Sequence, residues 1–204
     1  NKEGEVDYDA VVKVVDHIIS GGIDYIVVMG TTAETSTLFE EERSKVVSLI
    51  VETTNNRVPL VLGIGGNNTA SVVSKIKLTD LSSFKAILSV CPYYTKPSQE
   101  GIYQHYKNIA NASSIPLILY NVPSRSGVSI ENETTVRLAN DFSNIIGTKD
   151  ASGDLESILE LLGTVPDGFH VISGDDLLAL PIVLAGGSGV ISVIGGGLPT
   201  QVSQ

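Results

Sequence analysis

Lys149 closes the apolar run Asn144-Ile145-Ile146-Gly147-Thr148. A lysine at the end of a buried strand is expensive to keep charged, and desolvation lowers an ammonium whose ordinary pKa is about 10.4 toward neutrality. The free amine is then a nucleophile able to form a Schiff base with a carbonyl substrate. The competing reading is a lysine that leaves the strand and snorkels to solvent. Tyr120 closes Pro116-Leu117-Ile118-Leu119 in the same manner. A phenol there can pass protons to and from a carbinolamine if other hydroxyls relay them, and Thr31 and Tyr94, at two further strand ends, are candidate relays. Tyrosines also finish strands as amphipathic plugs, so each of these residues taken alone fits a structural role.

Arg125 stands five residues beyond Tyr120 in Asn121-Val122-Pro123-Ser124-Arg125-Ser126-Gly127, where Pro and Gly are expected to stiffen a loop. A guanidinium at such a rim suits bidentate capture of a carboxylate, and a solvated surface arginine is the alternative. Gly30-Thr31-Thr32-Ala33-Glu34 offers backbone N–H groups and two hydroxyls, a nest for a small carboxylate, but not a dinucleotide or P-loop fingerprint. Gly63-Ile64-Gly65-Gly66 and Gly186-Gly187-Ser188-Gly189 read equally as phosphate cradles or plain turns. His17, His105 and His170 lack metal-ligand spacing. Asp175 and Asp176 read as the N-terminal cap of a following helix rather than as a catalytic pair.

Something must bring these residues together. Val11, Val14, Val15, Ile18 and Ile19 form the apolar stripe of an amphipathic helix between Asp7 and Ser20. Non-alternating apolar runs, the mark of strands buried on both faces, begin near Asp24, Val58, Lys85, Pro116, Asn144, Phe169 and Gly189. Helical patterns lie between, among them Glu40 to Glu52, Ser98 to Ala112 and Asp154 to Leu162. Successive starts lie roughly 20–34 residues apart, the length of a βα unit, so the chain predicts a parallel α/β sheet in one domain over residues 1–204. A doubly wound sheet gathers only the loops at its switch point, whereas a (β/α)8 TIM barrel gathers every C-terminal strand end at one mouth. Polar groups follow directly on five apolar strands, which favours the barrel. Seven strands fall one short, and the only methionine is Met29, so the expectation is a barrel domain truncated at both ends, lacking the first strand and the C-terminal helices.

Composition agrees with a globular α/β protein. Of 204 residues 42% are hydrophobic and 18% charged, and no apolar run approaches the roughly 18 residues of a membrane helix. Thirteen basic against twenty-three acidic residues leave a net charge of −10, which repels nucleic acid and anionic lipid. Cys91 is the single cysteine, and with no leader-like segment before Asp7 a cytoplasmic location is expected.

Gly30-Thr31-Thr32-Ala33-Glu34, Pro92-Tyr93-Tyr94-Thr95-Lys96-Pro97, Tyr120-Asn121-Val122-Pro123-Ser124-Arg125-Ser126-Gly127 and Gly147-Thr148-Lys149-Asp150-Ala151-Ser152-Gly153 resemble, in order and spacing, the motifs of the dihydrodipicolinate synthase family of pyruvate-dependent class I aldolases. The resemblance covers essentially the whole chain. It implies a TIM barrel that condenses pyruvate with L-aspartate-4-semialdehyde to 4-hydroxy-tetrahydrodipicolinate in lysine and diaminopimelate biosynthesis, with no metal or organic cofactor. By the same resemblance Lys149 is the Schiff-base lysine and Tyr120 the proton donor and acceptor. Thr31 and Tyr94 are its relay, the tyrosine entering from a neighbouring subunit of a homodimer or homotetramer. Thr32 and Ile191 hold pyruvate, and Arg125 binds the semialdehyde carboxylate. Ala33 replaces a glycine usual in the first motif. Ser71 stands where lysine-regulated members carry a carboxylate, which implies weak lysine inhibition. A sugar-acid lyase resembling N-acetylneuraminate lyase shares the lysine and tyrosine but usually lacks the arginine. That lyase and a catalytically inactive fragment or binding descendant are the alternative readings.

Overall fold

A computed structural model describes residues 1–204. Helix α1 (Tyr8–Ser20) opens the chain and its first turn is capped by Asp7, whose carboxylate accepts the Ala10 N–H. Strands β1 (Ile26–Val28), β2 (Leu60–Gly63), β3 (Ala86–Val90), β4 (Leu117–Asn121), β5 (Ile145–Asp150), β6 (His170–Ser173) and β7 (Gly189–Val190) then form one parallel sheet in simple sequence order. The intervening helices are α2 (Glu40–Thr54), α3 (Thr69–Leu78), α4 (Gln99–Ala112), α5 (Pro123–Ser126), α6 (Asn132–Asp141), α7 (Leu155–Leu162) and α8 (Ala179–Leu184), and α9 (Pro199–Val202) lies at the far end. Ser98 and Asp154 cap α4 and α7. Parallel strands that lie side by side in sequence order, each followed by helix, are barrel topology. The doubly wound alternative requires the order to reverse within the sheet, and it does not.

Register sorts the side chains. Val61 pairs with Ala86, Leu88 with Ile118, Ile118 with Gly147, and Tyr120 with Lys149, which pairs in turn with Ile172. Because neighbours in register share a face, these residues line the concave inner side, where Val61, Ala86, Leu88, Ile118, Tyr120 and Ile172 form one apolar cluster. The alternate residues Leu60, Leu62, Ile87, Leu117 and Leu119 pack outward against the helices in the largest core. Both faces are therefore apolar, which is why the runs do not alternate.

The edges β1 and β7 are not paired with each other. Instead α1 packs against α9 and the turn Ile194–Gly196, with His17 Nε2 3.2 Å from the Gly197 carbonyl. Gly21 is required there, since a Cβ would lie 2.4 Å from Pro199. Two strands are shorter than their apolar runs. β1 begins at Ile26, two residues after Asp24, and stops where Met29 turns to φ 59°. β7 holds only Gly189 and Val190, although the Ile191 N–H still donates to Ser173 O at 2.9 Å.

In the outer layer, His105 carries the effect on stability that falls between neutral and acid pH. His105 on α4 is 3% exposed, its Nδ1 lies 2.8 Å from Thr69 Oγ1, and its Nε2 has no partner. Burial pushes its pKa down to about 4. Since an unfolded histidine takes its proton near 6.5, the unfolded chain binds more protons between those values, and stability falls as pH drops from 6.5 toward 4. We expect the denaturant midpoint to decline across that window by the equivalent of roughly 2–3 kcal/mol, and His105→Leu to remove most of the decline. An unchanged slope in His105→Leu would assign the acid sensitivity elsewhere.

Candidate active site

The C-terminal ends of β4 and β5 bring Tyr120 and Lys149 side by side. Lys149 is 8% exposed and its ammonium stands 4.3 Å from the centre of the Tyr120 ring. Burial lowers its pKa to about 8, with the Asp176 carboxylate opposing that shift and the Arg125 guanidinium reinforcing it. The snorkelling alternative fails, because the side chain stays on the inner face. Gly174, directly after β6, makes the space: a Cβ there would meet the Cε of Lys149 and the Cβ of Ala151, both at 2.8 Å.

On the outer face of the same two strands, Asn121 Nδ2 donates to Asp150 Oδ2 at 2.8 Å, and Asp150 Oδ1 accepts the Ser152 N–H, also at 2.8 Å. Asn121 Oδ1 in turn accepts the Ile130 N–H at 3.0 Å. These buried polar groups are tied one residue beyond Tyr120 and Lys149, so they fix the register in which phenol and amine face each other. Their quoted motifs held the signal, but the pairing across 29 residues is visible only once the strands align.

Thr31 Oγ1 reaches Tyr120 Oη at 3.4 Å, a long contact that joins the exits of β1 and β4. The backbone before Thr31 passes tightly: Met29 is left-handed, and a Cβ on Gly63 would lie 2.1 Å from the Met29 carbonyl. The expected carboxylate nest keeps only part of its donors. Thr31–Ala33 forms a 3-10 turn in which the Ala33 and Glu34 N–H groups are already bonded to Gly30 O and Thr31 O. What remains at that rim is the exposed hydroxyl pair of Thr31 and Thr32 and the N–H groups of the same two residues, which have no partner within the chain. Ile191, just past β7, packs against the cluster containing Tyr120.

Arg125 lies not in a loop but in the single-turn helix α5, because Pro123 presets the first helical φ and left-handed Gly127 ends the turn. Its side chain is exposed at the mouth. The structure does not bring Tyr94 to Tyr120. It is 87% exposed, its φ is 72°, and its ring projects from the loop after β3. The cap assignment for Asp175 and Asp176 is also corrected. Asp175 Oδ1 accepts the Leu177 and Leu178 N–H groups in a turn before α8, while Asp176 reaches away to the loop after β7. The three histidines lie apart, and no group of three metal-binding side chains forms. No helix is long and apolar enough to cross a membrane.

A desolvated lysine under a phenol, a threonine hydroxyl beside that phenol and a guanidinium at the rim can form an imine, move its protons and hold an anionic substrate. Comparison with known proteins points the same way. Residues 1–204 match the model of the dihydrodipicolinate synthetase family. A 4-hydroxy-tetrahydrodipicolinate synthase of Flavobacterium psychrophilum is 55% identical over 203 residues, covering 100% of this chain and 69% of the relative. One from Parabacteroides distasonis is 52% identical, with the same coverage. Among solved structures, the chloride-inhibited dihydrodipicolinate synthase of Acinetobacter baumannii complexed with pyruvate superposes with a TM-score of 0.94 at 43% identity, over 98% of this chain and 69% of that one. The Aquifex aeolicus dihydrodipicolinate synthase gives 0.93 at 38% identity, again over 98% and 69%.

Proposed function

The chain belongs to the dihydrodipicolinate synthetase family, and from that premise we propose that its mouth joins pyruvate to L-aspartate-4-semialdehyde through an imine on Lys149. The observation that carries this reading is the amine of Lys149, buried on the inner face and 4.3 Å from the centre of the Tyr120 ring. The amine attacks C2 of pyruvate to give a carbinolamine, and loss of water yields the imine. Removal of a C3 proton makes the enamine, whose C3 adds to the aldehyde carbon and leaves a hydroxyl there. Tyr120 is placed to deliver and accept these protons, with Thr31 passing them onward. We assign to Thr32 and Ile191 the holding of pyruvate, and to Arg125 the carboxylate of the semialdehyde.

Tyr94 enters this scheme from a second copy. Its exposure leaves the ring free to reach another subunit, and on this reading the functional unit is a homo-oligomer, a dimer or a tetramer. The same reading places the enzyme in the cytoplasm. The sugar-acid lyase alternative is disfavoured by Arg125 and by relatives at 46–55% identity that carry the synthase name.

Trapping tests the reading directly: borohydride with pyruvate should reduce an adduct onto Lys149, located by peptide mapping. Modification at another lysine, or none in folded protein, overturns the assignment. Arg125→Ala should leave pyruvate trapping nearly intact while lowering kcat/KM for the semialdehyde by roughly 10–150-fold, the value of a charged hydrogen bond of about 1.5–3 kcal/mol. Equal loss in both half-reactions would make Arg125 a structural residue.

A further inference from the structure

Asp176 belongs to no strand, yet it gathers donors from a loop sixteen residues away. Ser192 Oγ donates to its Oδ1, and the Val193 and Ile194 N–H groups donate to its Oδ2, each at 3.1 Å. Ser192 Oγ also accepts the Gly195 N–H at 2.8 Å, which closes the loop on itself. This loop follows immediately on Ile191. β7 is two residues long and pairs only with β6, so little of the sheet restrains its exit. On its other side Asp176 is two residues from Gly174, against which the Cε of Lys149 lies. One carboxylate thus spans the exits of β6 and β7, and its charge acts on the Lys149 amine.

We infer that Asp176 is a positioning residue of the imine site, pinning the Ile191 lip beside Lys149 and supplying the negative charge that faces it. The inference rests on the pyruvate reading above. The titratable and charged groups facing Lys149 are Asp176 from the exit of β6, Arg125 from α5 and the Tyr120 phenol from β4. Asp176 is the only anion among them. Its removal leaves Arg125 and burial unopposed, both of which favour the neutral amine.

The test is the initial rate of borohydride trapping with pyruvate, measured against pH and pyruvate concentration, for the unsubstituted protein, Asp176→Asn, Asp176→Glu and Ser192→Ala. Asp176→Asn should move the pH midpoint down by about one unit and raise half-saturating pyruvate about tenfold. Asp176→Glu should return the midpoint to its original value. Ser192→Ala should weaken pyruvate binding with the midpoint unmoved, because the charge remains. A lowered melting temperature with an unmoved midpoint in Asp176→Asn assigns a merely structural role and overturns the inference. Should Asp176→Asn fail to fold, unchanged half-saturation in Ser192→Ala overturns it equally. Absence of trapping in the unsubstituted protein instead brings down the pyruvate reading itself.

Discussion

Lys149→Met should give a protein more stable than the original at neutral pH and unable to trap pyruvate. The two effects share one cause. In the fold the amine protonates near 8, against about 10.4 in the unfolded chain, so below pH 8 it is charged in both states and the fold carries the whole desolvation penalty. As pH rises from 8 to 10.4 the folded amine is already neutral and the penalty is progressively relieved. Methionine fills similar volume with no charge to desolvate, so the expected gain at pH 7 is on the order of 2–3 kcal/mol, fading toward pH 10. Condensation should fall by roughly 10^4–10^6-fold, the scale seen when a covalent catalyst loses its nucleophile. Denaturant melts at pH 7 and pH 10, together with a coupled assay, check both halves. A destabilised Lys149→Met at pH 7 would mean that the amine is not desolvated, and residual condensation near the original rate would remove Lys149 from the chemistry.

Tyr120→Phe should keep the ring over Lys149 and delete only the hydroxyl. The apolar packing of Tyr120 with Ile118 and Ile172 is then preserved, so the melting temperature should change little. Proton transfer by a placed side chain is worth about 10^2–10^4-fold, and kcat should drop by that factor. Thr31→Val, which removes the partner 3.4 Å from the phenol, should give a smaller loss that does not add to the first. Full additivity in the double variant would show that the two hydroxyls act on different steps.

The sheet was legible because buried parallel strands announce themselves as unbroken apolar runs and because each βα unit has a characteristic length. Lys149, Tyr120 and Thr31 were legible because each stands at the C-terminal end of an apolar run, and a barrel gathers those ends at one mouth. The contacts that hold them were not. Asn121 and Asp150 find each other through register, and Asp176 joins two loops whose closeness follows from β6 and β7 lying side by side. Asp175-Asp176 before a helix looks like capping chemistry, but Asp175 satisfies two N–H groups of the turn ahead of α8 and none of the helix itself. Arg125 was expected in a loop because Pro and Gly punctuate the chain. They also preset and end a single helical turn, and only the four residues of α5 distinguish the two outcomes. Tyr94 is the opposite case, a residue readable as a relay whose own subunit turns it outward.

The seam between α1 and α9 has a consequence for the order of folding. His17 and Gly197 touch across 180 residues, whereas each strand pair joins neighbours about one βα unit apart. Closing a loop about six times longer costs roughly 1.5 kcal/mol more chain entropy, so local strand pairing should precede the seam. During synthesis the chain can lay down β1 to β6 unit by unit while the seam waits for residues 194–202 to follow them out of the ribosome. The loop after β7, which runs into this seam, then settles later than the strands β1 to β6. Hydrogen exchange after a refolding pulse should find α1 and the residues around 192–200 protected together, and later than β3 to β5.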